Sequence, residues 1–339
     1  MSLLPSSTEL ASARAIVYRS MPATPQFAWP LLARRLGTPT WLKHENHTPT
    51  GAFKVRGGLV YFDGLAAGAA RPAGVISATR GNHGQSVGYA ARACGLPAAI
   101  VVPHGNSREK NAAMAALGVE LIEHGDDFQA SREYAALLST QRGLHMIPAF
   151  HRDLVRGVAS YWTEFYEAVP ALQRVYVPIG QGSGASAAIA AREALGRRFD
   201  IVGVVSAHAP AYALSIEAGR PIEAPVTTLL ADGMACRVPD PEALEILRTG
   251  LAEVIRVTDH EVAQAMKALF IDTHNVAEGA GAAALAGALQ QQSKLAGKVI
   301  GLTLCGGNVD HDVFARVLMS PDTRSRPAPP ARSPGSAAG

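Results

Sequence analysis

Short apolar runs alternate with amphipathic segments from Trp41 onward. The apolar runs predict strands at Thr40–His44, Gly74–Ala78, Ala98–Val102, Val119–Glu123, His145–Ile147, Arg174–Ile179, Ile201–Ser206, Val254–Val257 and Lys298–Leu304. Helical spacing falls between most of them, at Gln85–Ala93, Arg108–Leu117, Phe128–Thr140, Leu154–Ala168, Ala185–Leu195 and Glu261–Thr273. Helix-like stretches also stand at Thr8–Tyr18 and Trp29–Leu36. Strands alternating with helices predict the α/β class, with parallel sheets covered on both faces. The strands are too many for one compact sheet, and 339 residues suit two domains, divided near His145–Asp153.

Composition narrows the partners. The chain is 48% hydrophobic and 17% charged, enough to bury a sizeable core. No apolar run approaches the ~20 residues of a membrane span, and Met1-Ser2-Leu3-Leu4-Pro5 lacks the basic-then-apolar order of a secretory signal. Cys94, Cys236 and Cys305 are odd in number and widely spaced, which suits a reducing cytoplasm rather than a disulfide framework. The net charge is +3, of which Arg324, Arg326 and Arg332 against Asp322 place +2 in the last twenty residues. That leaves no footprint for nucleic acid. The expectation is a cytoplasmic protein acting on a small molecule, without membrane or nucleic-acid partners.

Candidate chemistry centres on Lys54, in Thr50-Gly51-Ala52-Phe53-Lys54-Val55-Arg56-Gly57-Gly58. An amine useful to chemistry must lose its proton, so a partly desolvated position suits it. Gly57 and Gly58 remove bulk beyond it, where a flat cofactor could approach. Locally the same residues also read as a helix-start lysine that snorkels to water.

Three more loops follow predicted strands, where parallel sheets gather their binding residues. Thr79-Arg80-Gly81-Asn82-His83-Gly84-Gln85 offers small residues and an amide; Asn82 reads equally as a helix N-cap, and His83 as a loop-fixing or capping residue. Gly180-Gln181-Gly182-Ser183-Gly184 opens a helix and suits a phosphate. A dinucleotide site would want an acid after the next strand, and Ala207-His208-Ala209 offers none. Leu304-Cys305-Gly306-Gly307-Asn308 ends the last strand; its thiol is either a small packed hydrophobe or a ligand-facing group. Glu278 reads as a site residue or as the cap of a helix over Gly279–Leu289. His44 and His47 flank Glu45 without the partners of a metal site.

These stretches, together with Glu278-Gly279-Ala280-Gly281-Ala282, resemble the fold-type II pyridoxal-phosphate enzymes, specifically the threonine/serine dehydratases, over roughly residues 20 to 318. The resemblance implies two parallel-sheet three-layer domains of tryptophan synthase β-like fold with the active site between them. The large, cofactor-binding domain would take 1–45 and 148–319, the small one 46–147, and 320–339 would be a disordered tail. It implies pyridoxal 5'-phosphate as cofactor, with Lys54 as Schiff-base lysine beside Phe53. Asn82 would meet the 3-hydroxyl, Gly180, Gln181, Gly182, Ser183 and Gly184 would cradle the phosphate, and Glu278 would line the ring. Cys305 would be the neutral partner of the pyridine nitrogen. Thr79, Arg80, Gly81 and His83 would surround the amino-acid substrate, in a homodimer or homotetramer.

The chain departs from the family at Ala52, commonly Ser, and at Arg80, commonly Ala or Ser. A guanidinium holds its proton through the neutral range, so a racemase role for residue 80 is not expected. The cation-binding acids of some members are absent after Ser206, so no metal is expected. The expected activity is dehydration and deamination of an L-β-hydroxy-α-amino acid to a 2-oxo acid and ammonia. Threonine, serine, phenylserine and hydroxyaspartate share the required chemistry at Cα. The alternatives are β-replacement on the same fold, or phosphate-ligand binding without catalysis.

Overall fold

The computed structural model describes residues 3–68 and 71–321. Ten strands form two sheets. They are β1 (Gln26–Phe27), β2 (Thr40–His44), β3 (Val75–Ala78), β4 (Ala98–Val102), β5 (Glu120–Glu123), β6 (His145–Met146), β7 (Arg174–Pro178), β8 (Asp200–Ser206), β9 (Glu253–Val257) and β10 (Ile300–Leu304). The large sheet runs β1-β2-β10-β7-β8-β9 and the small one β5-β4-β3-β6. Every pairing is parallel except β1 with β2. The expected strands all form, within two residues at either end. The additions are the short β1 and the helices Ala211–Ala218, Pro241–Gly250 and His311–Met319. Of the expected tail, residues 322–339 lie outside the described residues.

The central strands are buried on both faces, which explains why they are apolar at nearly every position, while the edge strand β5 keeps Glu120 and Glu123 exposed. On the large sheet Val175, Val177, Ile201 and Val205 enter one core with the helices Arg152–Ala168 and Ser183–Ala194. The alternate residues Tyr176, Val202 and Val204 enter a second core with Asp259–Thr273 and Gly279–Gln290. The small sheet divides the same way: Val75, Ile100 and Val102 face one core, and Ile76, Ala99 and Val101 the other. Side chains alternate across a strand, so each sheet becomes the middle of three layers.

Gly57 and Gly58 have a different use from the expected one. Neither borders the cleft. A Cβ on Gly57 would press the Leu154 carbonyl at 2.8 Å, and one on Gly58 would collide with the Ser86 hydroxyl. They let the helix Lys54–Ala67 lie close against Arg152–Ala168 and Asn82–Ala93. Close helix approach, not room for a cofactor, is what their small size provides.

A buried charge cluster seats the start of the same helix. The Arg56 guanidinium is fully buried; its Nε donates to Glu45 Oε2 at 2.7 Å, and its Nη1 donates to Glu164 Oε1 at 2.6 Å and to the Ser160 hydroxyl at 2.9 Å. Lys43 of β2 donates to Glu164 Oε2 at 2.6 Å and to the Thr24 carbonyl at 2.7 Å. Two cations thus face two carboxylates. Burial pushes the Glu164 carboxyl up, but Arg56 and Lys43 outweigh it and hold it below its ordinary value.

Truncating one member of such a set strands the others without a partner. Arg56→Ala should therefore lower unfolding free energy by about 3–5 kcal/mol in urea titrations at neutral pH. Because the folded pKa of Glu164 is lowered, its contribution is complete above the ordinary carboxylate range and fades as pH falls through the folded value. The gap between parent and Arg56→Ala should narrow on acidification. A gap that stays constant would show that the carboxylates do not carry the effect.

Candidate active site

The loops after β2, β3, β7 and β10 meet in one cleft between the two sheets. Its lining includes Phe53, Lys54, Thr79, Arg80, Gly81, Asn82, His83, the whole of Gly180–Gly184, Glu278 and Cys305. Every site residue expected from the sequence is therefore brought together. The cleft also holds Lys110, Phe128 and Asp232, which the sequence reading missed.

Lys54 is the first residue of its helix, and its Nζ donates to the Ser183 hydroxyl at 2.8 Å. Phe53 lies beneath the amine, with the ring centroid 5.0 Å away, and packs against both cores of the large sheet. Burial without an acidic partner lowers the ammonium pKa to about 8. The snorkelling alternative is thereby excluded: the side chain ends in the cleft.

Ser183 begins the helix Ser183–Ala194, capped by Gly182 in a left-handed conformation at φ 93°. Among the described residues, the N–H groups of Ser183, Gly184 and Ala185 have no acceptor. Ser183 and Gly184 line the cleft that holds the Lys54 amine, and a helix start with acceptor-free N–H groups is suited to an anion. A Cβ on Gly180 would collide with the Gly233 carbonyl, so this loop is shaped by backbone against backbone. Tyr212 holds it from behind by donating to the Gln181 carbonyl at 3.1 Å.

Asn82 is not an N-cap. Gly81 takes that place, at φ 151°, and a Cβ there would strike the Lys110 side chain. Asn82 Nδ2 donates to Glu278 Oε1 at 2.5 Å, while its Oδ1 accepts from Asn308 at 2.9 Å. The Gly81 N–H donates to the Thr79 hydroxyl at 2.9 Å, which withdraws it from any ligand. Those of Asn82, His83 and Gly84 have no acceptor among the described residues. His83 is buried, with Nε2 unpartnered; burial, then the nearby Lys54 charge, push its pKa down to about 3, so the imidazole is neutral.

Glu278 sits at the N-cap of the helix Gly279–Gln290 but makes no capping bond. Instead Lys110 Nζ donates to Glu278 Oε2 at 2.8 Å and to Asp232 Oδ2 at 2.7 Å. Burial pulls the Lys110 ammonium down, but the two carboxylates outweigh it and keep it charged. Lys110 comes from the helix Arg108–Ala116 beside the small sheet, so this triad ties the two sheets together across the cleft. The sequence carried no local mark of it, since one lysine on a charged helix face reads as solvated surface. Cys305 is buried and donates weakly to the Ala280 carbonyl at 3.5 Å; burial raises the thiol far above its usual range and keeps it neutral. His44 and His47 stack 5.2 Å apart outside the cleft, where His44 accepts from the Trp29 indole at 3.0 Å.

Fold and site together define an α/β enzyme with a desolvated lysine amine, an anion-binding helix start and a neutral thiol in one cleft. Residues 19–306 match the family described as pyridoxal-phosphate dependent enzyme, and the chain belongs to it. It is 33% identical over 288 residues to an L-threonine ammonia-lyase of Geobacter sulfurreducens, covering 84% of this chain and 71% of that one. An L-threo-3-hydroxyaspartate ammonia-lyase of Saccharomyces cerevisiae is 29% identical, over 87% of this chain and 90% of that one. Biosynthetic L-threonine dehydratases match as well, and the chain spans 58% to 61% of their length. Among solved structures, a threonine deaminase of T.th. superposes with a TM-score of 0.83 at 29% identity, covering 90% of this chain and 99% of that one.

The lowered amine pKa is directly measurable. In cofactor-free protein, labelling of Lys54 by trinitrobenzenesulfonate should rise with pH around a midpoint near 8, located by peptide mass mapping. A midpoint near 10.5, the value of a solvated lysine, would show that the cleft does not desolvate the amine.

Proposed function

We propose that the protein is a pyridoxal-phosphate dependent ammonia-lyase that dehydrates and deaminates an L-β-hydroxy-α-amino acid of the threonine and serine type to a 2-oxo acid and ammonia. The observation that carries this reading is the convergence of Lys54, the Ser183 helix start, Asn82 and Cys305 in one cleft. The donor set fits the cofactor: three acceptor-free N–H groups for a phosphate, a neutral thiol for a pyridine nitrogen, and a lysine for an aldehyde. When bound, pyridoxal phosphate supplies the electron sink that acidifies the substrate Cα–H.

The chain's own residues divide the remaining work. Lys54 would hold the cofactor aldehyde and serve as the base for the substrate α-proton; its pKa of about 8 leaves a far larger share of free base near neutral pH than a solvated lysine has. The N–H groups of Asn82 and His83 receive the substrate α-carboxylate at the start of their helix, in place of the Gly81 N–H that Thr79 occupies. A neutral Cys305 does not impose protonation on the ring nitrogen, so it suits loss of a β-leaving group better than prolonged stabilisation of a carbanion. The names of the relatives support both threonine and hydroxyaspartate as substrates. Three free thiols among the described residues accord with a cytoplasmic setting, and no described helix is long and apolar enough to cross a membrane. The reading includes a homodimer or homotetramer.

Ammonia release from serine, threonine, phenylserine and 3-hydroxyaspartate tests the reaction. Lys54→Ala should retain the circular dichroism of the parent and release ammonia at no more than a few per cent of its rate. Greater residual activity would remove Lys54 from its role. At Cys305, Ser should preserve elimination and Asp should impair it, because a buried acid favours a protonated nitrogen. Full activity with an unchanged cofactor spectrum in Cys305→Asp would make the thiol a packing residue.

A further inference from the structure

Arg80 is the one charged side chain of the cleft that has no bonded partner among the described residues. The other charges there are satisfied. Lys110 is bonded to both Asp232 and Glu278, and Lys54 donates to Ser183. Arg80, by contrast, has neither a hydrogen bond nor an ion pair among the described residues, and its Nε is shielded from solvent with no acceptor. An outward turn onto a surface acid, the ordinary fate of such a residue, is not what the fold contains.

The surroundings give the unpaired guanidinium a direction. Arg80 borders both the cleft and an adjoining recess lined by Asp127, Phe128 and Gln181. Asp127 is not available to it. One carboxylate oxygen of Asp127 accepts from Arg237 at 2.8 Å, and the other accepts from the Ala130 N–H at 2.8 Å as a helix cap. Arg80 therefore lies in this recess with its Nε unpartnered and with the one carboxylate nearby engaged by other donors. Leaving a shielded guanidinium N–H unpaired is costly, more so when a ligand excludes water from it.

Resting on the ammonia-lyase reading, we propose that Arg80 selects a substrate with a second carboxylate, on Cβ: a 3-hydroxyaspartate rather than threonine or serine. A substrate whose α-carboxylate rests on the Asn82 and His83 N–H groups lies against the loop that carries residue 80. Its β-substituent then projects within reach of the guanidinium. A carboxylate there satisfies the planar fork with two parallel, charge-assisted hydrogen bonds. A methyl or a hydrogen leaves the shielded Nε–H unpaired, and a site built to pair a polar group discriminates against analogues that lack it.

The test compares parent, Arg80→Ala and Arg80→Lys. It measures kcat/KM on 3-hydroxyaspartate, threonine, serine and phenylserine, and calorimetric binding of succinate, a dicarboxylate without an amine. Arg80→Ala should lose about 30-fold or more on 3-hydroxyaspartate, stay within about threefold on threonine and serine, and weaken succinate comparably. Arg80→Lys should fall between, keeping charge but losing the fork, and also serves should the alanine variant fold poorly. Equal losses on all four substrates, a selective loss on phenylserine, or a fall in cofactor affinity with unchanged selectivity would each overturn the assignment. If the parent releases ammonia from none of the four, the lyase reading fails. Succinate binding that depends on Arg80 would still stand in that case, and its absence would sink the carboxylate site as well.

Discussion

The buried charge cluster around Arg56 holds the reactive end of the molecule in place. Arg56 stands two residues after Lys54, and its guanidinium bridges Glu45, which follows β2, and Glu164, on the helix Arg152–Ala168. The first turn of the Lys54 helix is thereby fixed to two separate elements by charge-assisted bonds. Such a cluster adds little net stability over an apolar core of the same shape, because desolvation offsets most of the attraction. Its effect is directional. An apolar contact tolerates a sliding helix, whereas paired donors and acceptors at 2.6 to 2.7 Å allow one register.

A fixed register matters because Lys54 works by where its amine ends. With Phe53 beneath it and Ser183 as its one bonded partner, the ammonium loses hydration without gaining a counter-charge, and its pKa falls to about 8. A carboxylate at the place of Ser183 would raise it again. The cluster below the helix holds four charges within hydrogen-bond distance of one another, yet the amine a turn away keeps company only with a hydroxyl and a neutral thiol. Segregating charge to the base of the site leaves its mouth free to bind anions.

The mouth is closed by pieces of both sheets. Lys110, from the small-sheet side, reaches Asp232 and Glu278, and Asp310 accepts from Ser107 at 2.6 Å and from the Glu109 N–H at 3.1 Å. Beside the apolar packing of the helix Lys54–Ala67, the small sheet therefore meets the opposite wall of the cleft through polar bonds. Polar contacts of this kind can be remade at modest cost, which suits a cleft that must admit and release an amino acid.

The central strands were legible in the chain alone, because both their faces are buried and a doubly buried strand must be apolar along its length. So were the loops that line the cleft, since Lys54, Gly81-Asn82-His83, Gly180–Gly184 and Cys305 follow strands at whose carboxyl ends parallel sheets gather their loops. The terminal helix His311–Met319 is an addition of the structure, with only Val317 of it buried. Which side chain meets which was settled only by packing in three dimensions. Gly57 and Gly58 look like room for a cofactor until their helix neighbours are known. Asn82 and Glu278 look like caps until they bond each other from 196 residues apart. Lys110 looks like surface until two acids from distant segments enclose it. Each of these outcomes depends on partners remote in sequence, and no local pattern records who will be opposite.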